Sequence, residues 1–157
     1  LETLIRSKQK TLVFSSFTSH LKIYTDWCDQ QNIKYNLLTG KTKAQDREKE
    51  VDAFENDQES QLFFISLKAG GTGLNLTKAS YVIILDPWWN PFAELQAIGR
   101  AHRIGQKQKV NVVRFISKQS IEEKINQLQQ TKKDLSDNII ESQITDEIIN
   151  NIDEILD

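Results

Sequence analysis

The sequence predicts an α/β fold in which helices cover both faces of a parallel β-sheet. Short apolar runs alternate with stretches whose apolar residues recur at helical spacing. Several runs are apolar throughout, as in strands that are buried on both faces. Five of the six glycines and both prolines lie between residues 66 and 106, and we expect functional loops there.

The first half of the chain predicts three strands, Leu12–Phe14, Ile33–Leu38 and Leu62–Ile65. The helix after the first strand has Thr18 or Ser19 as its predicted cap. Apolar residues at helical spacing give this helix its inner face: Leu21, Tyr24, Trp27 and Cys28. The helix after the second strand begins with a predicted capping box formed by Thr42 and Gln45. Its expected inner face includes Val51 and Phe54.

The second half predicts a fourth strand, Tyr81–Leu85, and a fifth, Val110–Ile116. Between them residues 92–101 form a predicted helix with Pro91 in its first turn. Ser120 and Glu123 predict a further capped helix, and its expected inward residues are Ile121, Ile125 and Leu128. The acidic end of the chain carries an apolar stripe that predicts an amphipathic helix: Ile148, Ile149, Ile152, Ile155 and Leu156.

Length and composition limit the classes of protein. A chain of 157 residues suits one domain with an appendage. With 38% hydrophobic and 27% charged residues it is globular in composition, and it has no apolar run of membrane-spanning length. The start at Leu1, with no secretory signal pattern, leads us to expect a segment of a longer intracellular protein. A lone Cys28 and two distant histidines predict neither a disulfide nor a zinc site.

Charge is distributed unevenly. Residues 134–157 hold eight of the 22 acidic residues and no lysine or arginine. Residues 1–133 therefore carry 20 basic and 14 acidic residues, a net charge of +6. A basic excess favours partners that bear phosphate, although a solvated charged surface accounts for the charge equally well.

Two glycine motifs imitate nucleotide-binding loops. Gly40-Lys41-Thr42 ends like a P-loop, but Tyr35 stands where that motif needs its first glycine. We interpret it as a turn. Gly70, Gly71 and Gly73 do not complete a dinucleotide fingerprint, yet a loop of this kind can present backbone N–H groups to an anion. The alternative is a tight turn without a ligand.

Arg100 and Arg103 are three residues apart, so on a helix both guanidinium groups leave the same face. Two permanently charged, planar groups suit a terminal phosphate whose charge grows as its bond breaks. Taken alone, both could be ordinary surface arginines. The chain lacks a complete Walker A loop and an acidic magnesium-binding pair, so it would supply only half of such a site.

Three segments resemble the later motifs of superfamily-two helicases, and specifically of Swi/Snf-type DNA translocases: SLKAGGTGLNL, DPWWNP and QAIGRAHRIGQ. VFSSF resembles the motif that opens the same lobe, and the resemblance covers roughly residues 5–135. It implies the second RecA-like lobe of an ATPase whose first lobe, with the phosphate-binding loop, lies outside this chain. The implied domains are the lobe at 1–119, a brace-type helix at 120–133 and an acidic tail at 134–157.

The resemblance also assigns roles. Arg100 and Arg103 would be arginine fingers, and Gln96 would organise the nucleotide side. ATP with Mg²⁺ would be held mainly by the first lobe, with this chain adding Gly71, Gly73 and Asn75 to the two arginines. Double-stranded DNA would meet a set of small polar and basic residues: Ser15, Ser16, Thr39, Gly40, Ser66, Lys68 and Thr72.

The implied partners are the first lobe, double-stranded DNA and a nucleoprotein target, with no membrane. We expect the chain alone to be inactive as an ATPase. Two alternatives remain open at this stage: a module that binds the nucleic-acid backbone without turnover, and the second lobe of an RNA helicase.

Overall fold

The structure is a computed structural model that describes residues 1–70, 73–88, 90–101, 109–131 and 134. Arg103, Gly71, Thr72 and the predicted helix of the acidic tail lie outside the described residues. The elements in chain order are α1 (Glu2–Arg6), β1 (Thr11–Ser15), α2 (Thr18–Gln30), β2 (Tyr35–Leu38), α3 (Ala44–Asn56), β3 (Leu62–Ser66), α4 (Leu67–Gly70), β4 (Tyr81–Ile84), α5 (Pro91–Ala101), β5 (Asn111–Arg114) and α6 (121–131).

The five strands form one sheet in the order β2-β3-β1-β4-β5, and every neighbouring pair is parallel. This confirms the predicted fold class. The register aligns Ser15 at the end of β1 with Ser66 at the end of β3. Because the strands are parallel, the loops after β1, β2, β3 and β4 lie at the same carboxyl edge of the sheet.

Two buried clusters cover the two faces of the sheet. Side chains alternate along a strand, so Leu12 and Phe14 of β1 face one cluster while Val13 faces the other. The first cluster is completed by α3 and α5, and the second by α2, with Leu21 and Cys28 buried in it. The predicted inner faces of α2 and α3 are confirmed.

Local signals placed some boundaries wrongly. The second and fifth strands are shorter than predicted, and α1 and α4 were not predicted. The helix caps also differ: α2 begins after Phe17 and α3 after Lys43, and neither residue makes a side-chain capping bond. At α6 the Ser120 hydroxyl does accept a bond from the Glu122 amide, at 3.1 Å, as an N-cap should.

The predicted inner face of α6 was wrong. Ile121 is 71% exposed and Leu128 is 56% exposed, whereas the polar Gln129 is buried. The packing of α6 is therefore directed by hydrogen bonds, which a hydrophobic pattern cannot reveal.

None of the helices in the described part of the chain combines the length and the apolar content that a membrane crossing requires.

Candidate functional site

A cavity of about 840 Å³ opens at the carboxyl ends of β1, β2 and β3. It collects most of the described residues that the sequence assigned to DNA binding: Ser16, Thr39, Gly40, Ser66 and Lys68. Their loops are far apart in sequence and meet because the strands are parallel neighbours. The cavity is further lined by the first residues of α2 and by Lys41.

Two serine hydroxyls in this cavity are buried without a hydrogen-bond partner among the described residues. They belong to Ser16 and Ser66, and Ser66 is only 4% exposed. A buried hydroxyl without a protein partner costs free energy unless water or a bound group satisfies it. The cavity therefore offers hydrogen-bond donors at the place where the sequence predicted a bound backbone.

The N-terminus of α2 lies in the same wall. Phe17 occupies the N-cap position, makes no side-chain capping bond and is 60% exposed, and Thr18 and Ser19 line the cavity beyond it. The first N–H groups of a helix carry partial positive charge and favour anions. With Lys41 and Lys68 exposed nearby, this end of the cavity is electrostatically suited to phosphate.

The opposite end of the cavity is acidic. Asp26 and Asp29, from the later turns of α2, line it together with Tyr35. Asp26 pairs with Lys22 at 2.6 Å, and the Tyr35 hydroxyl donates to Asp29 at 3.4 Å. Burial, followed by this bond to Asp29, raises the pKa of Tyr35. Because Lys22 also lines the cavity and neutralises Asp26, Asp29 is the carboxylate that makes this end less suited to a polyanion than the carboxyl-edge end.

Ser15 does not line the cavity. It is fully buried, and its hydroxyl donates to the Asp86 carboxylate while accepting from the Phe17 amide at 3.0 Å. Asp86 also accepts from the Ser16 amide at 2.7 Å and contacts His20 Nδ1 at 3.1 Å. Ser15 and Asp86 thus hold the loop that presents Ser16 and Phe17.

Arg100 is 6% exposed, and its Nε donates to the Gly70 carbonyl oxygen at 3.1 Å. Gly70 ends α4 and lies against the Phe14 ring, so that an added Cβ would be 3.2 Å from Phe14 Cε1. A glycine lets the backbone approach the sheet closely enough to receive the arginine. The guanidinium is therefore anchored one short helix beyond the end of β3.

The predicted nucleotide-side residues Gly73 and Asn75 precede Leu76, which is bonded to Arg100. The Leu76 amide donates to the Arg100 carbonyl oxygen at 3.1 Å, which fixes this loop against the end of α5. Gly73 has φ +46, a left-handed conformation that glycine adopts without strain. The loop and α3 line a separate cavity of about 420 Å³.

Gln96 is exposed on α5, one turn before Arg100. The remaining predicted residues, Gly71, Thr72 and Arg103, lie outside the described residues. Within the described ranges, no group of three histidine, cysteine, aspartate or glutamate side chains is placed to hold a metal ion.

Sequence reasoning missed Phe17, Lys41 and Asp86. Phe17 looks like a core residue because it follows an apolar run, yet it is exposed at the helix start. Asp86 could have been found, since it is the first polar residue after the fourth apolar run and therefore falls at the carboxyl edge.

The family described as helicase conserved C-terminal domain matches residues 1–105. The chain belongs to this family, and its fold is that of the second RecA-like lobe of Swi/Snf-type proteins. Its relatives include ATP-dependent helicases and a chromatin remodelling factor.

Two relatives match most of the chain. DNA repair protein RAD5B of Arabidopsis thaliana is 43% identical over 141 residues, 90% of this chain and 11% of that protein. ATP-dependent helicase FUN30 of Saccharomyces cerevisiae is 41% identical over 150 residues, 95% of this chain and 13% of that protein. The chain thus spans only about an eighth or less of their lengths.

A solved structure has the same fold. The crystal structure of the C-terminal part of the Fun30 ATPase domain matches with a TM-score of 0.76 and 42% identity, over 80% of this chain and 40% of that chain.

Proposed function

We propose that this lobe is the C-terminal half of an ATP-driven double-stranded DNA translocase. ATP and Mg²⁺ are held mainly by the first lobe, and Arg100 and Arg103 reach the terminal phosphate when the two lobes close. Gly71, Gly73 and Asn75 contribute to the ATP-binding site, and Gln96 helps to organise it. Each cycle of closing and opening then moves the grip of this lobe along the DNA.

The observation that carries this proposal is the shortness of the path between the two sites. Ser66 at the end of β3 and Lys68 in α4 line the carboxyl-edge cavity. Gly70, whose carbonyl oxygen anchors Arg100, is the last residue of α4. A group that binds DNA and a group that supports the arginine are thus four residues apart. A shift of α4 would displace both, and this shared element is what supports a coupling of hydrolysis to movement.

The DNA ligand is supported by the chemistry of the cavity. Two buried serine hydroxyls, the start of α2 and the exposed Lys41 and Lys68 suit phosphate oxygens rather than base edges. Binding should therefore be sensitive to salt and weakly dependent on sequence. Duplex DNA is favoured over RNA because relatives of this chain are named as DNA repair proteins.

The test is made in the full-length protein. Arg100→Ala and Arg103→Ala should leave ATP binding within a few fold and lower the DNA-stimulated turnover by about 10³ to 10⁵, the range for arginine fingers. Arg100→Lys keeps the charge but loses the planar fork, so it should not recover turnover. Arg6→Ala, at an exposed ion pair with Glu2, is the matched control.

Normal turnover in either alanine variant would disprove the arginine-finger role of that residue. The 157-residue chain alone should show no measurable ATPase, because the phosphate-binding loop lies on the other lobe. Robust hydrolysis by the chain alone would contradict the division of the site between two lobes. Stimulation of the full-length enzyme by RNA but not by duplex DNA would favour the RNA helicase alternative.

A further inference from the structure

A buried polar network joins α6 to the segment between β4 and α5. Gln129 of α6 is 4% exposed and Glu94 of α5 is 3% exposed. Gln129 Nε2 donates to the Trp88 carbonyl oxygen and to Glu94 Oε1, the latter at 2.8 Å. Gln129 Oε1 accepts from Arg114 Nη2 on β5. One side chain of α6 therefore contacts three parts of the lobe.

Glu94 completes the network from the other side. Its Oε1 accepts from the Trp88 amide at 2.7 Å, and its Oε2 accepts from Arg114 Nη2 at 2.6 Å. Both backbone polar groups of Trp88 are thus bonded to side chains, although Trp88 belongs to no strand or helix. The conformation of this segment is consequently set by Glu94 and Gln129.

The network determines an arrangement more than it adds stability. Buried hydrogen bonds contribute little net stability compared with apolar packing, but a fully bonded network accepts only one geometry. On α6 the apolar Ile121 and Leu128 remain exposed while Gln129 is buried, so hydrogen bonds direct how the helix docks. Glu94 also lies six residues before Arg100, about 9 Å along the same helix.

We infer that Gln129 is a positioning residue for the motor: it fixes the Trp88 segment and α5, and through α5 the anchored Arg100, in the arrangement that hydrolysis requires. The inference rests on the proposed function for its consequence in turnover. It makes α6 part of the ATPase machinery rather than a passive appendage.

The experiment uses the full-length protein with Gln129→Leu and, as the matched control, Gln127→Leu at an exposed position of the same helix. Gln129→Leu should lower the DNA-stimulated kcat by about 10- to 100-fold, the cost of a small misplacement, with the KM for ATP nearly unchanged. Amide hydrogen exchange of the peptide containing Trp88 should speed up at least about tenfold in this variant only.

A double variant separates positioning from charge balance. Glu94→Gln with Gln129→Glu keeps one carboxylate, one amide and an acceptor for Arg114, but it leaves the Trp88 carbonyl without its donor. Turnover should stay low in this variant. Recovery to near the wild-type rate would overturn the inference, because charge balance alone would then suffice.

The exchange measurement also separates this inference from the proposed function. If the wild type shows no DNA-stimulated hydrolysis, the proposed function fails, while exchange at Trp88 still decides whether Gln129 holds that segment. Faster exchange with unchanged kcat would overturn the positioning role in an active enzyme. Unchanged exchange in Gln129→Leu would overturn the inference whatever the rate.

Discussion

Ser15 and Ser66 provide a sharp test of the carboxyl-edge site, because substitution by alanine should destabilise the chain at the first position and not at the second. The two serines are register partners at the ends of neighbouring strands, and both are buried. The Ser15 hydroxyl is bonded to the Asp86 carboxylate. The Ser66 hydroxyl has no partner among the described residues. Removal of the Ser15 hydroxyl should lower the stability of the chain, and removal of the Ser66 hydroxyl should not.

The magnitudes follow from these contacts. Ser15→Ala removes a hydrogen bond to a charged group and should lower the free energy of unfolding by about 1.5 to 3 kcal/mol. Ser66→Ala removes an unbonded buried hydroxyl and should leave that free energy unchanged or raise it by about 1 kcal/mol. Urea denaturation of the chain measures both. Equal destabilisation by the two substitutions would refute the assignment of Ser66 as a group awaiting a ligand.

DNA binding by the full-length protein gives the second half of this test. If Ser66 donates to a phosphate, Ser66→Ala should weaken duplex binding about tenfold, the equivalent of about 1.4 kcal/mol. The dependence of log K on log salt should keep its slope, because a neutral hydroxyl displaces no counterion. Lys68→Ala should instead reduce the slope by about 0.9. A change of slope in Ser66→Ala would contradict a neutral contact.

Three further predictions concern the body of the lobe. Burial raises the pKa of the Cys28 thiol to about 11 from 9.0, so alkylation of the native chain at pH 8 should be at least about 100-fold slower than for the urea-unfolded chain; equal rates would contradict this. The Lys10 ammonium donates to the carbonyl oxygens of Phe54, Asp57 and Ser60. Lys10→Met should therefore lower the free energy of unfolding in urea by about 2 kcal/mol. The control Lys8→Met, at an exposed position, should leave it almost unchanged. Burial raises the pKa of the Glu55 carboxyl above 4.5, so the stability that its protonation contributes is complete below pH 4.5 and is lost as pH rises through the folded pKa. The free energy of unfolding of Glu55→Gln relative to wild type should therefore increase between pH 4 and 7. A difference in this free energy that stays constant with pH would exclude the effect.

Sequence reasoning predicted the sheet because each strand is a short apolar run between polar turns. Because the strands are parallel, the loops that carry Ser16, Thr39 and Ser66 lie at one edge of this sheet. Side-chain hydroxyls were predicted less well: Thr18 and Thr42 were expected to cap helices. In the structure Thr18 lies inside α2, and Thr42 Oγ1 accepts from the Thr39 amide at 3.0 Å. Short polar side chains have several local partners within reach, and sequence does not rank them.

The two unpredicted helices had no periodic signal to find. α1 has five residues and α4 has four, each too short to present a repeating apolar face. α4 follows β3 directly, and Gly70 at its end lies against Phe14 of the sheet. This contact is tertiary, so it could be predicted only after the sheet had been assembled.

The burial of Arg100 and Gln129 has the same origin, and it bears on function. On sequence alone a long charged or amide side chain belongs at the surface, and Ile121 and Leu128 belong inside. The structure reverses both because polar backbone groups outside the sheet, the Gly70 carbonyl at the end of α4 and the two polar groups of Trp88, are bonded to side chains. A loop without a strand partner must satisfy its backbone through side chains. The residues that do so here also connect α4, which lines the carboxyl-edge cavity, with α5 and α6. If the lobe moves as proposed, these bonds must move with it.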